Sequence, residues 1–178
     1  MEKSIELVKN REWQLEKVVT YFFVYSFIGW LFEELLFIVL YNKLEYRGFL
    51  YLPILPIYGF GASLISLLYP DKNYEVLSIA VLGGLLCTFI EYVTSFVIDK
   101  TLHISLWDYS SLRFNLNGRV SLLSSIFFAI ACVLIIKVIN PLIDKKIKKY
   151  KNSMKIEVIL TALIMITFLD FVISLFKY

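Results

Sequence analysis

Histidine occurs once in these 178 residues and cysteine twice. His103 alone cannot assemble a histidine-based metal centre. Cys87 and Cys132 both lie inside apolar runs, where cysteine acts as a small packing residue rather than as half of a disulfide or a metal pair. No metal and no cofactor is expected. Charge is scarce too: 19% of residues are Asp, Glu, Lys or Arg, against about 25% in soluble domains. The net charge of +3 is too small to point to nucleic acid. The chain contains no Gly-rich phosphate loop followed by Lys-Ser/Thr, so it does not hydrolyse ATP by that route, and energy from ATP would have to come through another subunit. A cleavable signal peptide is not expected either, because charges run throughout the first seventeen residues.

Apolar sequence is what the chain has in quantity. It is 59% hydrophobic with a mean hydropathy of +0.73, the composition of an integral membrane protein. Fifteen Phe and twelve Tyr suit interfacial belts as well as packing. Five apolar runs, about 18–41, 51–70, 75–98, 120–143 and 156–176, each approach the roughly 20 residues needed to cross a bilayer. The predicted fold is an all-α bundle of five transmembrane helices, a single domain over 18–178. Residues 1–17 interleave four Lys/Arg with four Glu, and Ile5, Val8 and Leu15 recur near helical spacing beside Trp13. That pattern predicts an amphipathic helix on the membrane surface.

The loops set the orientation. Residues 1–17, 71–74 and 144–155 hold eleven Lys/Arg, against six in 42–50, 99–119 and 177–178. Positive charge accumulates on the cytoplasmic side, which places the N-terminus in the cytoplasm and the C-terminus outside.

The chain is organised around residues 46–62, where an Arg47-Gly48 turn runs into Pro53, Pro56, Gly59 and Gly61. Proline removes a backbone donor, and glycine admits backbone geometry that other residues adopt only at a cost. An unbroken span would not need four such residues in nine positions, so the second span is expected to be broken. Irregular backbone at membrane depth survives only where protein covers it or where it borders a wet cavity.

Ionisable groups inside spans are functional candidates by default. Here they are Glu33, Glu34, Glu91, Lys137 and Asp170. Glu33 follows Ser26 and Gly29 at helical spacing, Glu91 follows Gly84 and Cys87/Thr88, and Asp170 lies between Thr167 and Ser174. Stripes of small and hydroxylic residues are where membrane helices approach one another. Glu33, Glu91 and Asp170 are therefore expected to face the interior, with Glu34 turned elsewhere and Lys137 snorkelling to the interface. Counted from the outer ends of their spans, all three acids lie about 9–12 Å deep at 1.5 Å per residue. The outer loops add Arg47, Trp107, Asp108, Tyr109, Asn115 and Arg119. Arg119 is placed to reach Glu91 or Glu33, and Asp108 with the serines after Tyr109 to cap a turn or a short helix. Buried Arg–carboxylate pairs that only clamp the bundle would leave the same signature.

Gly29-Trp30-x-x-Glu33, Arg47-Gly48-Phe49-Leu50, Pro53-x-x-Pro56-Ile57-Tyr58-Gly59-x-Gly61, Glu91-Tyr92, Trp107-Asp108-Tyr109-Ser110 and Asn115-x-x-Gly118-Arg119 together resemble the bacterial membrane family described as "putative ABC-transporter type IV", the CmpB-like permeases. The chain departs from that pattern at Tyr46, Leu52 and Phe127-Phe128-Ala129. The resemblance implies a small polytopic protein of the bacterial cytoplasmic membrane with a role in transport. On that reading Arg47 and Arg119 position an anionic group or hold Glu33 and Glu91, while Tyr58, Trp107 and Tyr109 line the entrance. Asp108, Asn115 and Asp170 complete the candidate pocket for a small solute, ion or lipid. A second copy or partner subunits are expected, because five spans are few for alternating access. Two alternatives stay open: an enzyme acting on a lipid-linked substrate at the outer leaflet, and an accessory protein that contacts a partner through loop 99–119.

Overall fold

The computed structural model describes residues 2–43, 48–150 and 153–176, with side chains from residue 13 onward. Arg47 lies outside the described residues. Helices dominate: α1 Glu2–Tyr41, α2 Pro56–Leu68, α3 Val76–Leu102, α4 Leu122–Leu134, α5 Asn140–Ile147 and α6 Met154–Leu175, with two short strands, β1 Asn115–Leu116 and β2 Val120–Ser121. Among the described residues, four helical stretches are long and apolar enough to cross a membrane: Trp13–Tyr41, Val76–Leu102, Leu122–Tyr150 and Met154–Leu175. α2 has 13 residues, about 20 Å at 1.5 Å per residue, short of a hydrocarbon core of about 30 Å. The chain forms two compact units, residues 1–59 with 142–177 and residues 60–141.

In the first unit, α1 is one helix of 40 residues. The segment predicted to lie on the membrane surface and the first span are continuous, since no Pro or Gly interrupts the chain before Gly29. α1 ends on Asn42, whose positive φ of 50° and N–H to the Ile38 carbonyl at 2.8 Å make a left-handed cap. Residues 48–55 are not helical. Gly48 turns with φ 110°, and a side chain there would press on Leu55 Cδ2 at 2.8 Å. Pro56 then opens α2 in the position where its missing N–H costs nothing. α2 meets α1 through glycine: a Cβ on Gly29 would overlap the Tyr58 ring, and one on Gly59 would sit 2.5 Å from the Phe22 carbonyl oxygen. The Leu55 N–H donates to the Ser26 carbonyl at 2.9 Å, adding a backbone tie to this crossing. Toward the other end of α1, Tyr21 donates to Asp144 and Lys17 pairs with the same carboxylate at 2.7 Å.

In the second unit, α3 packs on α4. Gly84 allows this by facing Ala129, and Gly83 by facing Cys132 and Ile65, each so close that an added Cβ would meet them at about 3 Å. The core is Ile65, Tyr69, Ile79, Cys132 and Ile136, with Cys87 against it. Cys87 and Cys132 are free thiols with sulfurs 3.7 Å apart. Beyond α4, residues Ile135–Ile139 widen into a π turn, and the Asn140 N–H donates to the Ile135 carbonyl. Pro141 follows, and its ring would clash with the Lys137 carbonyl in a regular α-helix; the wider turn relieves that clash. Asn140 is buried and donates to Ser66 Oγ at 2.8 Å. Lys137 donates to the Tyr74 carbonyl and, at 2.7 Å, to that of Lys72, so its long stem ends at the loop between α2 and α3.

Candidate functional site

The loop between α3 and α4 is built by local hydrogen bonds. α3 stops at His103, in left-handed conformation with φ 55°. Asp108 Oδ1 accepts from the Ser110 N–H at 2.8 Å and from Ser110 Oγ at 2.5 Å, the turn that this short carboxylate favours. Asn117 and Gly118 both have positive φ, 55° and 68°. The Arg119 N–H closes this turn on the Leu116 carbonyl at 3.0 Å, as in the Asn-Gly hairpins that match strand twist. β1 and β2 pair antiparallel with Asn115 opposite Ser121. Asn115 Oδ1 accepts from the Gly118 N–H at 3.0 Å, and its Nδ2 donates to the Leu112 carbonyl at 2.7 Å. The hairpin feeds straight into α4, where Ser121 and Ser124 cap each other reciprocally.

This loop and the C-terminal end of α3 hold a pocket of about 160 Å³, lined by Ser95, Asp99, Trp107, Asp108, Asn117 and Arg119, with Ser105 and Gly118 completing the wall. Arg119 is its centre. Its Nη2 lies 2.5 Å from Asp99 Oδ2, Nη1 donates to Ser95 Oγ at 3.2 Å, and the guanidinium stands over the Phe96 ring at 5.5 Å. The Trp107 indole N–H donates to the Arg119 carbonyl at 2.9 Å, which fixes the indole beside the charged pair. Three residues singled out by sequence, Trp107, Asp108 and Arg119, thus share one pocket.

Glu91 sits deeper in the same unit, 4% exposed. Tyr109 donates to its Oε1 at 2.9 Å, and Ser124 Oγ lies 3.1 Å from its Oε2. Arg119 goes to Asp99 rather than to Glu91: Asp99 is eight residues farther along α3, about 12 Å of helix rise. In the first unit, Tyr58 donates to Glu33 Oε1 at 2.6 Å. Glu34 is the more buried member of that acidic pair, so both carboxylates are shielded where only Glu33 was expected to be. Asp170 spans its two oxygens across consecutive backbone donors, the Tyr51 N–H at 3.1 Å and the Leu52 N–H at 2.9 Å. Its role is to satisfy the irregular backbone ahead of Pro53. Glu33 and Asp170 belong to one unit and Glu91 to the other.

Asp99 and Asn117 were not singled out by sequence reasoning. Asn117-Gly118 was a legible hairpin signal, whereas Asp99 fell just past the predicted end of span three and read as loop.

Hydrogen bonds from Ser110, first its hydroxyl and then its N–H, hold the Asp108 carboxyl below its ordinary pKa. A depressed folded pKa stabilises above the unfolded value of about 3.9 and ceases to do so as pH falls through the folded value. The Ser110 amide proton in detergent-solubilised protein is therefore expected to shift with a midpoint below 3.9, and Asp108→Asn to abolish that titration. A midpoint at or above the ordinary value would remove the turn as the cause.

The family model described as "putative ABC-transporter type IV" matches residues 20–175. No curated protein and no solved structure matches the chain.

Proposed function

Because the chain belongs to the "putative ABC-transporter type IV" family, we propose that it is the membrane-embedded component of a transport system, binding a small solute or ion in the pocket around Arg119. The observation that carries this reading is the pocket itself: guanidinium, carboxylate, amide and indole converge at the end of an apolar helix long enough to span a membrane. At about 160 Å³ it is well below the roughly 300–1,000 Å³ of sites for drug-sized ligands, so the cargo is small. Loop charge orients the N-terminus to the cytoplasm and the pocket to the outside. α2 and the irregular residues 48–55 together serve as the fifth, broken span. The acid–phenol pair Glu91–Tyr109 ties the pocket loop to a carboxylate of α3. Any energy from ATP would come through another subunit, and the broad apolar helix faces accept further subunits as well as lipid.

In sealed vesicles of a variant with Cys87 and Cys132 replaced by Ala, single cysteines at Ser95 and Asn117 test this. Both are expected to react with an impermeant thiol reagent added to the outer face, Ser95→Cys more slowly because that wall is half-buried. Reaction from the cytoplasmic face alone would invert the topology and remove the outward-facing site.

A further inference from the structure

Deepening that reading of the Arg119 pocket, and resting on it, we propose that the ligand is a small zwitterion, its ammonium between Asp99 and Asp108 and its phosphate or carboxylate on Arg119. Four features argue for both charges on one ligand. First, Arg119 and Asp99 already face each other at 2.5 Å. A zwitterion entering between them can pair with both, its anion on the guanidinium and its cation on the carboxylate. Second, Asp108 uses only Oδ1 in its described hydrogen bonds, both to Ser110, so a second carboxylate stands in the same wall. Third, Asp99 lies in the last turn of α3, where the helix dipole favours a cation, and the Trp107 ring is held in the wall by its N–H, an aromatic surface of the kind that attracts ammonium groups. Fourth, Arg119 is held over Phe96 with its side chain only 18% exposed. A guanidinium fixed and partly dehydrated in this way suits fork-like recognition of phosphate or carboxylate.

Two sources share this chemistry, a zwitterionic lipid headgroup and a free solute. Phe96, under the Arg119 guanidinium, is itself exposed, so an acyl-bearing ligand would find apolar surface next to the headgroup. The free ligand would need only the polar wall.

Isothermal titration of the detergent-solubilised chain decides the matter, using phosphoethanolamine, short-chain phosphatidylethanolamine and short-chain phosphatidylglycerol as probes. Saturable binding of at least one amine-bearing probe, with phosphatidylglycerol about tenfold weaker or silent, is expected. Binding of phosphoethanolamine itself assigns the free solute; binding of the lipid alone assigns the headgroup. Asp108→Asn, which keeps the oxygen that accepts from Ser110, and Arg119→Gln should each weaken that binding about tenfold or more. Equal binding of phosphatidylglycerol, no binding of any probe, or indifference to Asp108→Asn would overturn the zwitterion. If Asn117→Cys still reacts from outside in that case, the outward-facing solute site stands without this ligand class; if it reacts only from inside, both fall.

Discussion

Replacing Asp170 by Ala is expected to destabilise the protein by about 2–6 kcal/mol. The Tyr51 and Leu52 N–H groups both end on this carboxylate, which is itself 8% exposed. Each buried donor left without an acceptor costs about 1–3 kcal/mol, and hydrocarbon offers no water to replace the loss. Asp170→Asn keeps one carbonyl oxygen and should lose about half as much. Reversible unfolding in mixed micelles measures both, and a change under about 0.5 kcal/mol for Asp170→Ala would show that the loop does not depend on the clamp. The consequence reaches beyond stability. Residues 48–56 carry the family-like Gly-Phe-Leu and the Pro53-x-x-Pro56 pattern, so a loosened loop should also release Tyr58 from Glu33.

Gly59→Leu is expected to be as damaging, through packing rather than polarity. An added Cβ would lie 2.5 Å from the Phe22 carbonyl oxygen and 2.8 Å from its ring. Backbone cannot swing aside as a flexible side chain can, so α1 and α2 would have to separate at the crossing that also seats Tyr58 against Gly29. Overpacking of this kind costs about 1–3 kcal/mol or more. Two residues farther on, Gly61 provides the contrast: a Cβ there would touch only Cys87 Sγ, at 3.4 Å. Helix propensity favours Ala over Gly by up to about 1 kcal/mol, so Gly61→Ala should be neutral or mildly stabilising in the same assay. Equal loss at both positions would indicate a general intolerance of side chains in α2 rather than a specific crossing.

These results depend on features that differ in how readily sequence reveals them. Apolar length alone located the long helices, because hydrocarbon thickness imposes it. Pro53, Pro56 and the nearby glycines marked the break in the second apolar run, and α2 indeed begins at Pro56. The burial of Glu91 and Asp170 followed from the small residues spaced around them. Their partners did not. Asp170 is answered by backbone N–H groups 118 and 119 positions away, and backbone donors leave no trace in residue identity. Arg119 had two carboxylates on α3 to choose from, Glu91 and Asp99, and only the path of the hairpin selects Asp99. The continuity of α1 was equally hidden, since a charged amphipathic run followed by an apolar one reads the same whether or not the helix bends between them. Pro141 did announce the π turn, but a proline near a predicted span end reads more simply as its boundary.

The most direct test of a transport role is whether one buried site can be reached from both sides. Glu91 lies behind Tyr109 and Ser124, almost wholly screened from solvent. A single cysteine at Glu91, with Cys87 and Cys132 replaced by Ala, should react with an impermeant thiol reagent added to either face of sealed vesicles. Reaction from both faces is the predicted result, because a cargo path must open to each side in turn. Reaction from the outer face alone, in folded protein, would contradict transport through this unit and point instead to a binding or catalytic site confined to the outer leaflet.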